Sequence, residues 1–292
     1  MKESNILMAV ARNRRVRILM AETTKLCEDA RLTHDLYPTS NAAMGRVLSI
    51  AALMGAMLKR ADEKVTIEIN GGGPIGTILV EARGDGNLKG FVGDNTIYMK
   101  YNSNNKLAVG LAVGTDGYIK VAKNMGLKNI FTSQIELQTG EIGEDFAYYF
   151  TVSEQIPSLV SVGVLVDTDY STKSAGAIII EMLPGHTDED IEYVEKAAKK
   201  LKPVSEMMME NTPDEILNML FEDAEILERR EVRFHCDCSK ERFMEALLTL
   251  NKNDLEEVMK DDMIELKCEY CNTFYHISKD ELLKFIEEHV EN

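Results

Sequence analysis

Four of the five cysteines fall within 36 positions, as Cys236-Asp-Cys238 and Cys268-Glu-Tyr-Cys271 with 29 residues between the pairs. Two close pairs separated by a short folded segment can place four thiolates on one tetrahedral zinc ion. Four soft sulfur ligands with no open position favour a closed structural site over a hydrolytic one. The second pair has a common knuckle spacing. The first, with one intervening residue, is tight, and awkward for the backbone amides that usually quiet such sulfurs. Zinc-bound thiolates stay nucleophilic, so an oxidant can take them to sulfenic acid and then disulfide, releasing the metal. His235 and His276 flank the pairs, but four sulfurs already fill the shell, and both read as packed or solvated imidazoles.

What oxidation would do depends on which sulfurs join. Structural zinc contributes on the order of 10–16 kcal/mol of apparent folding free energy in small modules. Disulfides within each pair close three or four residues and return only ~1.5–2 kcal/mol. Cross-pairing between the motifs closes a loop of some thirty residues, for about 3.7 kcal/mol, and could hold the fold together. The spacing leaves both pairings open.

The segments that must position these cysteines are unlike one another. The chain of 292 residues carries a net charge of −16, and residues 186–292 hold 29 acidic and 14 basic side chains, almost the whole imbalance. Before them, residues 1–185 read as an α+β domain on antiparallel hairpins. Strands are expected at 65–69, 77–81, 88–92, 107–113 and 177–180, separated by Gly71-Gly-Gly-Pro74, Asp85-Gly-Asn87 and Asp116-Gly117. Helices are expected at 41–59 and 141–154. Residues 186–231 read as a charged helical linker with starts at Thr187/Asp190 and at Thr212-Pro213/Glu215. Too short to hold much core, it must lean on a neighbour. Residues 232–292 read as a small zinc-binding domain. Its helices are capped by Ser239, Asn253 and Ser278 (the last with Glu281 as a capping box), and its hairpin has arms at 263–267 and 274–277. So few large apolar side chains need an extra staple.

The pattern Phe234-His-Cys236-Asp-Cys238-Ser-Lys-Glu-Arg242 with Cys268-Glu-Tyr-Cys271 and Tyr275 resembles the redox-regulated 33-kDa heat-shock chaperone family. Supporting stretches are Gly73-Pro-Ile-Gly76 leading to Arg83-Gly-Asp-Gly86, Gly140-Glu-Ile-Gly-Glu-Asp145 with Tyr149-Phe150 and Ser153-Glu-Gln155, and Leu183-Pro-Gly185. The likeness runs over essentially the whole length. It implies an ATP-independent holdase rather than an enzyme. Such a protein is inactive when reduced and zinc-bound; oxidation and partial unfolding activate it to hold unfolding client proteins and prevent their aggregation. It also implies Cys236–Cys238 and Cys268–Cys271 as the oxidised pairs, and a homodimer on activation. If the zinc domain melts, the linker loses a support and bares its apolar faces. Met207, Met208 and Met209, flexible and polarisable, with Leu217, Leu220 and Phe221, are then the candidate client contacts.

Other signals are weaker. Gly71-x-Gly73-x-x-Gly76 matches a dinucleotide fingerprint, but a strand follows where a helix should open and Pro74 removes an amide, so a hairpin turn is expected. Cys27 stands alone and reads as a small packed residue. A zinc-ribbon nucleic-acid binder would need a basic face beside the cysteines, where this sequence is acidic. A thiol oxidoreductase using Cys268-x-x-Cys271 would need a strand-to-helix setting, which the expected hairpin denies. An odd cysteine count argues against a disulfide framework, and no apolar run approaches the ~18–20 residues of a membrane span. Residues 6–11 are too short for a signal-peptide core. A cytoplasmic chain with neither membrane nor nucleic acid as partner is expected. The acidic final third suits a segment that must stay soluble when it unfolds.

Overall fold

The computed structural model describes residues 2–103, 106–126 and 129–290. The chain forms two compact units that meet in sequence between Phe234 and His235. The first opens with strands β1 (Asn5–Ala11) and β2 (Val16–Glu22), helices α1 (Thr24–His34) and α2 (Pro38–Ala56), and strands β3 (Lys64–Asn70), β4 (Ile78–Arg83) and β5 (Asn87–Val92). A single helical turn α3 (Val109–Val113), strands β6 (Tyr118–Asn124) and β7 (Phe131–Glu136), and helix α4 (Gly143–Tyr149) follow; α4 runs on as a π turn over Phe150–Glu154. Next come β8 (Ser158–Val166), β9 (Thr172–Met182), α5 (Asp188–Ala198), α6 (Val204–Glu210), α7 (Pro213–Leu220), β10 (Glu225–Glu231) and β11 (Arg233–Phe234).

Helix α2 organises this unit. Ala, Met, Leu and Val are spread around its whole circumference, the pattern of a helix covered on every side, and each of its residues except Arg46 is buried. A five-stranded antiparallel sheet in the order β10-β1-β2-β9-β8 packs on it from one direction. From another comes a six-stranded sheet, β11-β5-β4-β3-β6-β7, antiparallel except for the short β11 beside β5. Alternation along β3 aims Val65, Ile67 and Ile69 inward, in register with Ala82, Val80 and Ile78 of β4. On the other side Ile67 and Ile69 pair with Val121 and Ile119 of β6. These ladders bury one face of the sheet against α2. Gly45 lets the elements close: a Cβ there would meet Val164 at 2.9 Å and the Cys27 sulfur at 3.1 Å.

The run 107–113, expected as a strand, forms only an isolated bridge at Leu107 before turning into α3. A short apolar run flanked by glycines carries no periodicity that separates strand from buried helix. The Gly71–Gly76 stretch is the β3–β4 connection, as the sequence suggests. Its backbone crosses that of α3 so closely that a Cβ at Gly73 would lie 2.3 Å from the Ala112 carbonyl oxygen.

Residues 186–231 are a layer of this first unit. Thr187 and Asp190 start α5 as a capping box, and Thr212 with Glu215 does the same for α7. The apolar faces of α5, α6 and α7 lie on the outer side of the five-stranded sheet, against Leu7, Ala9, Ile18, Met20, Ile178 and Ile180. The segment then enters the sheet itself as β10, pairing with β1 from Asn5↔Glu231 to Val10↔Glu225. The neighbour it leans on is thus the sheet, which explains why β9, covered on both faces, is buried at every position but Lys173 and runs apolar from Ala175 to Ile180.

The second unit contains α8 (Lys240–Leu248), α9 (Lys252–Val258), the hairpin β12 (Met263–Lys267) and β13 (Phe274–Ser278), and α10 (Lys279–Val290). Ser239 Oγ accepts the Arg242 amide, and Ser278 and Glu281 cap α10 reciprocally. The cap of α9 is Asn251, which takes the Asp254 amide at 3.0 Å, rather than Asn253 as expected. Asn-x-x-Asp supplies both the cap and an acidic first turn two residues earlier. Buried apolar side chains in this unit are Met244, Leu247, Ile264, Ile277, Leu282 and Phe285.

Asp190 ties α5 down. Fully buried, it accepts from Arg12 Nε at 2.8 Å and Arg15 Nη2 at 3.2 Å while capping its own helix. The Arg12 hydrogen bond, opposed by burial and aided by the Thr187 bonds and Arg15, holds its carboxyl far below the usual carboxylate range. A lowered pKa in the folded state stabilises above the ordinary carboxylate value and is lost only as pH falls through the lowered one. Asp190→Asn should therefore loosen α5 at neutral pH. Amide exchange over 188–198 should accelerate while that of 64–70 holds, and the gap from wild type should close only in strong acid.

Candidate metal centre

Each cysteine pair sits where the local backbone turns. Cys236 and Cys238 lie in the extended stretch between β11 and α8, held by Arg242, which donates to the Asp237 carbonyl at 2.8 Å and pairs with the Asp237 carboxylate at the same distance. Cys268 and Cys271 form the turn of the β12–β13 hairpin. The amides of Cys271 and Asn272 both donate to the Cys268 carbonyl, at 3.3 and 2.7 Å, and Asn272 takes a positive φ of 58°. A CxxC turn between two strands has no helix behind it, so it lacks the strand-to-helix setting of a thioredoxin-like dithiol.

The two turns bring four sulfurs together. All four Sγ atoms lie within 4.8 Å of one another, with Cys236–Cys268 at 3.8 Å and Cys238–Cys271 at 3.4 Å. Four sulfurs at Zn–S bonds of about 2.3 Å in a tetrahedron stand about 3.8 Å apart, so the cage fits one such ion. The cysteines are free thiols. His235 and His276 are outside the cage, and His276 faces Glu265 at 3.6 Å.

Backbone amides do reach the tight first pair: Cys236 Sγ takes the Cys238 N–H. Cys268 takes that of Tyr270, and Cys271 that of Thr273. Burial pushes the Cys236 thiol up, and pushes Cys268 up to about 11 against the opposing Tyr270 amide. At Cys271 burial is outweighed by the Thr273 hydroxyl and amide and by neighbouring thiols, and the group falls to about 7. Tyr275, present in the sequence pattern without a role, completes the surroundings: its hydroxyl is 3.1 Å from Cys238 Sγ. An aromatic residue alternating inward on the second hairpin arm is the signal that could have found it.

The candidate client-contact residues lie elsewhere, on the first unit. Met207, Met208, Leu217, Leu220 and Phe221 are buried beneath α6 and α7, and Met209 is 47% exposed. Cys27 is buried between α1 and α2, with its thiol pushed up to about 12 by burial, as expected of a packed residue. No helix among the described residues is long and apolar enough to cross a membrane.

Comparison with known proteins gives the geometry a family. The model of the Hsp33 protein family matches residues 4–278. The "33 kDa chaperonin" of Bacillus subtilis is 41% identical over 280 residues, covering 95% of this chain and 96% of that protein. That of Enterococcus faecalis is 38% identical over 294 residues, covering 99% and 98%. The crystal structure of the 33 kDa chaperonin (heat shock protein 33 homolog) from Thermotoga maritima superposes with a TM-score of 0.90 at 34% identity, covering both chains completely. With its α+β fold, four-cysteine cluster and end-to-end match, this chain belongs to the Hsp33 family.

Proposed function

We propose that the chain is an ATP-independent holdase switched by oxidation of its four clustered cysteines, and that the cluster holds zinc when reduced. The observation that carries this reading is the contrast within the second unit: four thiols converge on the volume of one ion, while among the described residues only six apolar side chains are buried in its core. The relatives named chaperonins supply the class of activity, binding of unfolding proteins rather than turnover.

When bound, zinc supplies the charge that keeps all four sulfurs as thiolates and joins the Cys236–Cys238 loop to the β12–β13 turn. In the switch, a thiolate attacks the O–O bond of a peroxide, giving sulfenic acid and hydroxide. A neighbouring thiol then displaces water and closes a disulfide. We assign the disulfides as Cys236–Cys238 and Cys268–Cys271. The two short distances run between the motifs, so proximity does not select this pairing. The family resemblance implies it, and it suits a switch that must open: within-motif bonds return only ~1.5–2 kcal/mol against roughly 10–16 kcal/mol lost with the metal. The second unit then unfolds, kept in solution by its excess carboxylates.

Clients engage the apolar faces of α5–α7 once that layer lifts from the sheet, with Met207, Met208, Met209, Leu217, Leu220 and Phe221 as contacts, and the activated chain dimerises. The second unit, 235–292, is acidic overall, which disfavours nucleic acid as a partner.

Peroxide at moderately raised temperature should release the metal, lower the far-UV CD signal and suppress light scattering by a thermally unfolding client, all with one time course. Client protection by the reduced, metal-loaded chain that reductant does not diminish would sink the switch. Mass spectrometry of the oxidised chain should find Cys236 joined to Cys238 and Cys268 to Cys271. Cys268→Ser should bind well below the about one zinc equivalent of a closed four-sulfur site and should unfold the second unit even under reductant; unchanged stoichiometry would remove Cys268 from the ligand set.

A further inference from the structure

Cys238 is held from the hairpin as well as from its own loop. Tyr275 stands on β13 opposite Leu266 of β12, its ring against Phe243 of α8 with 5.0 Å between centroids. Its hydroxyl lies 3.1 Å from Cys238 Sγ and donates to the Cys238 carbonyl at 3.1 Å. Cys236, Cys268 and Cys271 each take an amide from within or directly beside their own motif. Tyr275 is different in kind, since it joins one motif to the strand that follows the other.

A phenol has one proton to give. In the folded unit the phenol donates to the Cys238 carbonyl and stands equally close to the sulfur. A sulfur carrying charge, as each would on a bound zinc ion, competes with that carbonyl for the one phenol proton and makes the stronger bond. A hydrogen bond onto a thiolate withdraws charge from the lone pair that would attack an oxidant. Conversion to a disulfide removes the charge and with it most of the bond's strength.

Building on the redox reading above, we propose that Tyr275 is a positioning residue of the switch: its hydroxyl holds Cys238 in the sulfur cluster and blunts that thiolate toward peroxide while the hairpin is folded. The step it slows is attack of the Cys238 thiolate on the peroxide O–O bond, which yields the Cys238 sulfenic acid and hydroxide. The Cys236 thiol then expels water to form the disulfide. Sulfenic acid accordingly forms first on other sulfurs, and Cys238 reacts when β13 lets go.

Tyr275→Phe in the full chain keeps the ring and removes the hydroxyl. Zinc content and far-UV CD of the reduced variant should match wild type. Peroxide-driven zinc release, read with a chelating dye, should be about tenfold faster or more, the loss expected for one hydrogen bond to a charged group. Trapping with a sulfenic-acid reagent followed by peptide mass spectrometry should place early label on Cys238 in the variant and not in wild type. Phe243→Leu, which disturbs the ring's packing and leaves the hydroxyl, should keep the wild-type labelling pattern. Equal release rates and labelling in Tyr275→Phe and wild type would overturn the proposal while leaving the switch intact, as would Cys238 label in Phe243→Leu. Wild type that keeps its zinc under peroxide would overturn both. Should Tyr275→Phe fail to retain zinc, 3-fluorotyrosine placed at 275, a stronger donor, should release zinc more slowly than wild type; equal or faster release overturns the proposal.

Discussion

Closure of four sulfurs around one point is the constraint on which the second unit depends. Among the described residues its buried apolar side chains number six, several of them near the limit of burial, and they come from two helices and one hairpin. A core of that size leaves only a few kcal/mol once chain entropy is counted. The cysteine turns connect what the core does not, joining the segment before α8 to the loop between β12 and β13. Capping at Ser239, Asn251 and Ser278 sets where each helix begins, so that little else need be decided by packing.

The first unit is built on the opposite principle. Helix α2 is enclosed by two sheets and neighbouring helices of its own unit. Its one incompletely buried residue, Arg46, is spent on Glu141, which also accepts from the Tyr101 hydroxyl and the Gly110 amide. The outer helical layer is attached less completely: α5 holds through Asp190 and a modest apolar face, with Ile191 38% exposed, and α6 and α7 are two turns each. Within one unit, then, a helix buried on nearly every side supports a sheet whose other apolar face is covered by the α5–α7 layer.

Much of this was legible in the residues. The cysteine spacing, the Thr187/Asp190, Thr212/Glu215 and Ser278/Glu281 boxes, and strands β3, β4, β5 and β9 all follow from local chemistry. The failures share a cause. Residues 186–231 look like a linker because their apolar positions, helix by helix, are too few for a core; that strands β1, β2 and β9 would cover them is a long-range fact. Strand β10 carries Glu225, Glu228, Arg229, Arg230 and Glu231, a composition that argues against a strand until its edge position beside β1 is known. Leu107–Val113 is short enough for either state. At the metal centre the ligands were evident, whereas the phenol of Tyr275 depended on hairpin register, which spacing does not encode.

The fifth cysteine gains meaning from where it lies. Cys27 is 1% exposed, packed beneath Gly45 with its sulfur 3.6 Å from that residue's carbonyl oxygen, and burial pushes its thiol up to about 12. At neutral pH it is neither ionised nor reachable, so it is silent toward alkylating agents and oxidants alike. An even number of reactive sulfurs remains, all in one small unit. Under the redox reading proposed above, these four sulfurs can pair with none left over.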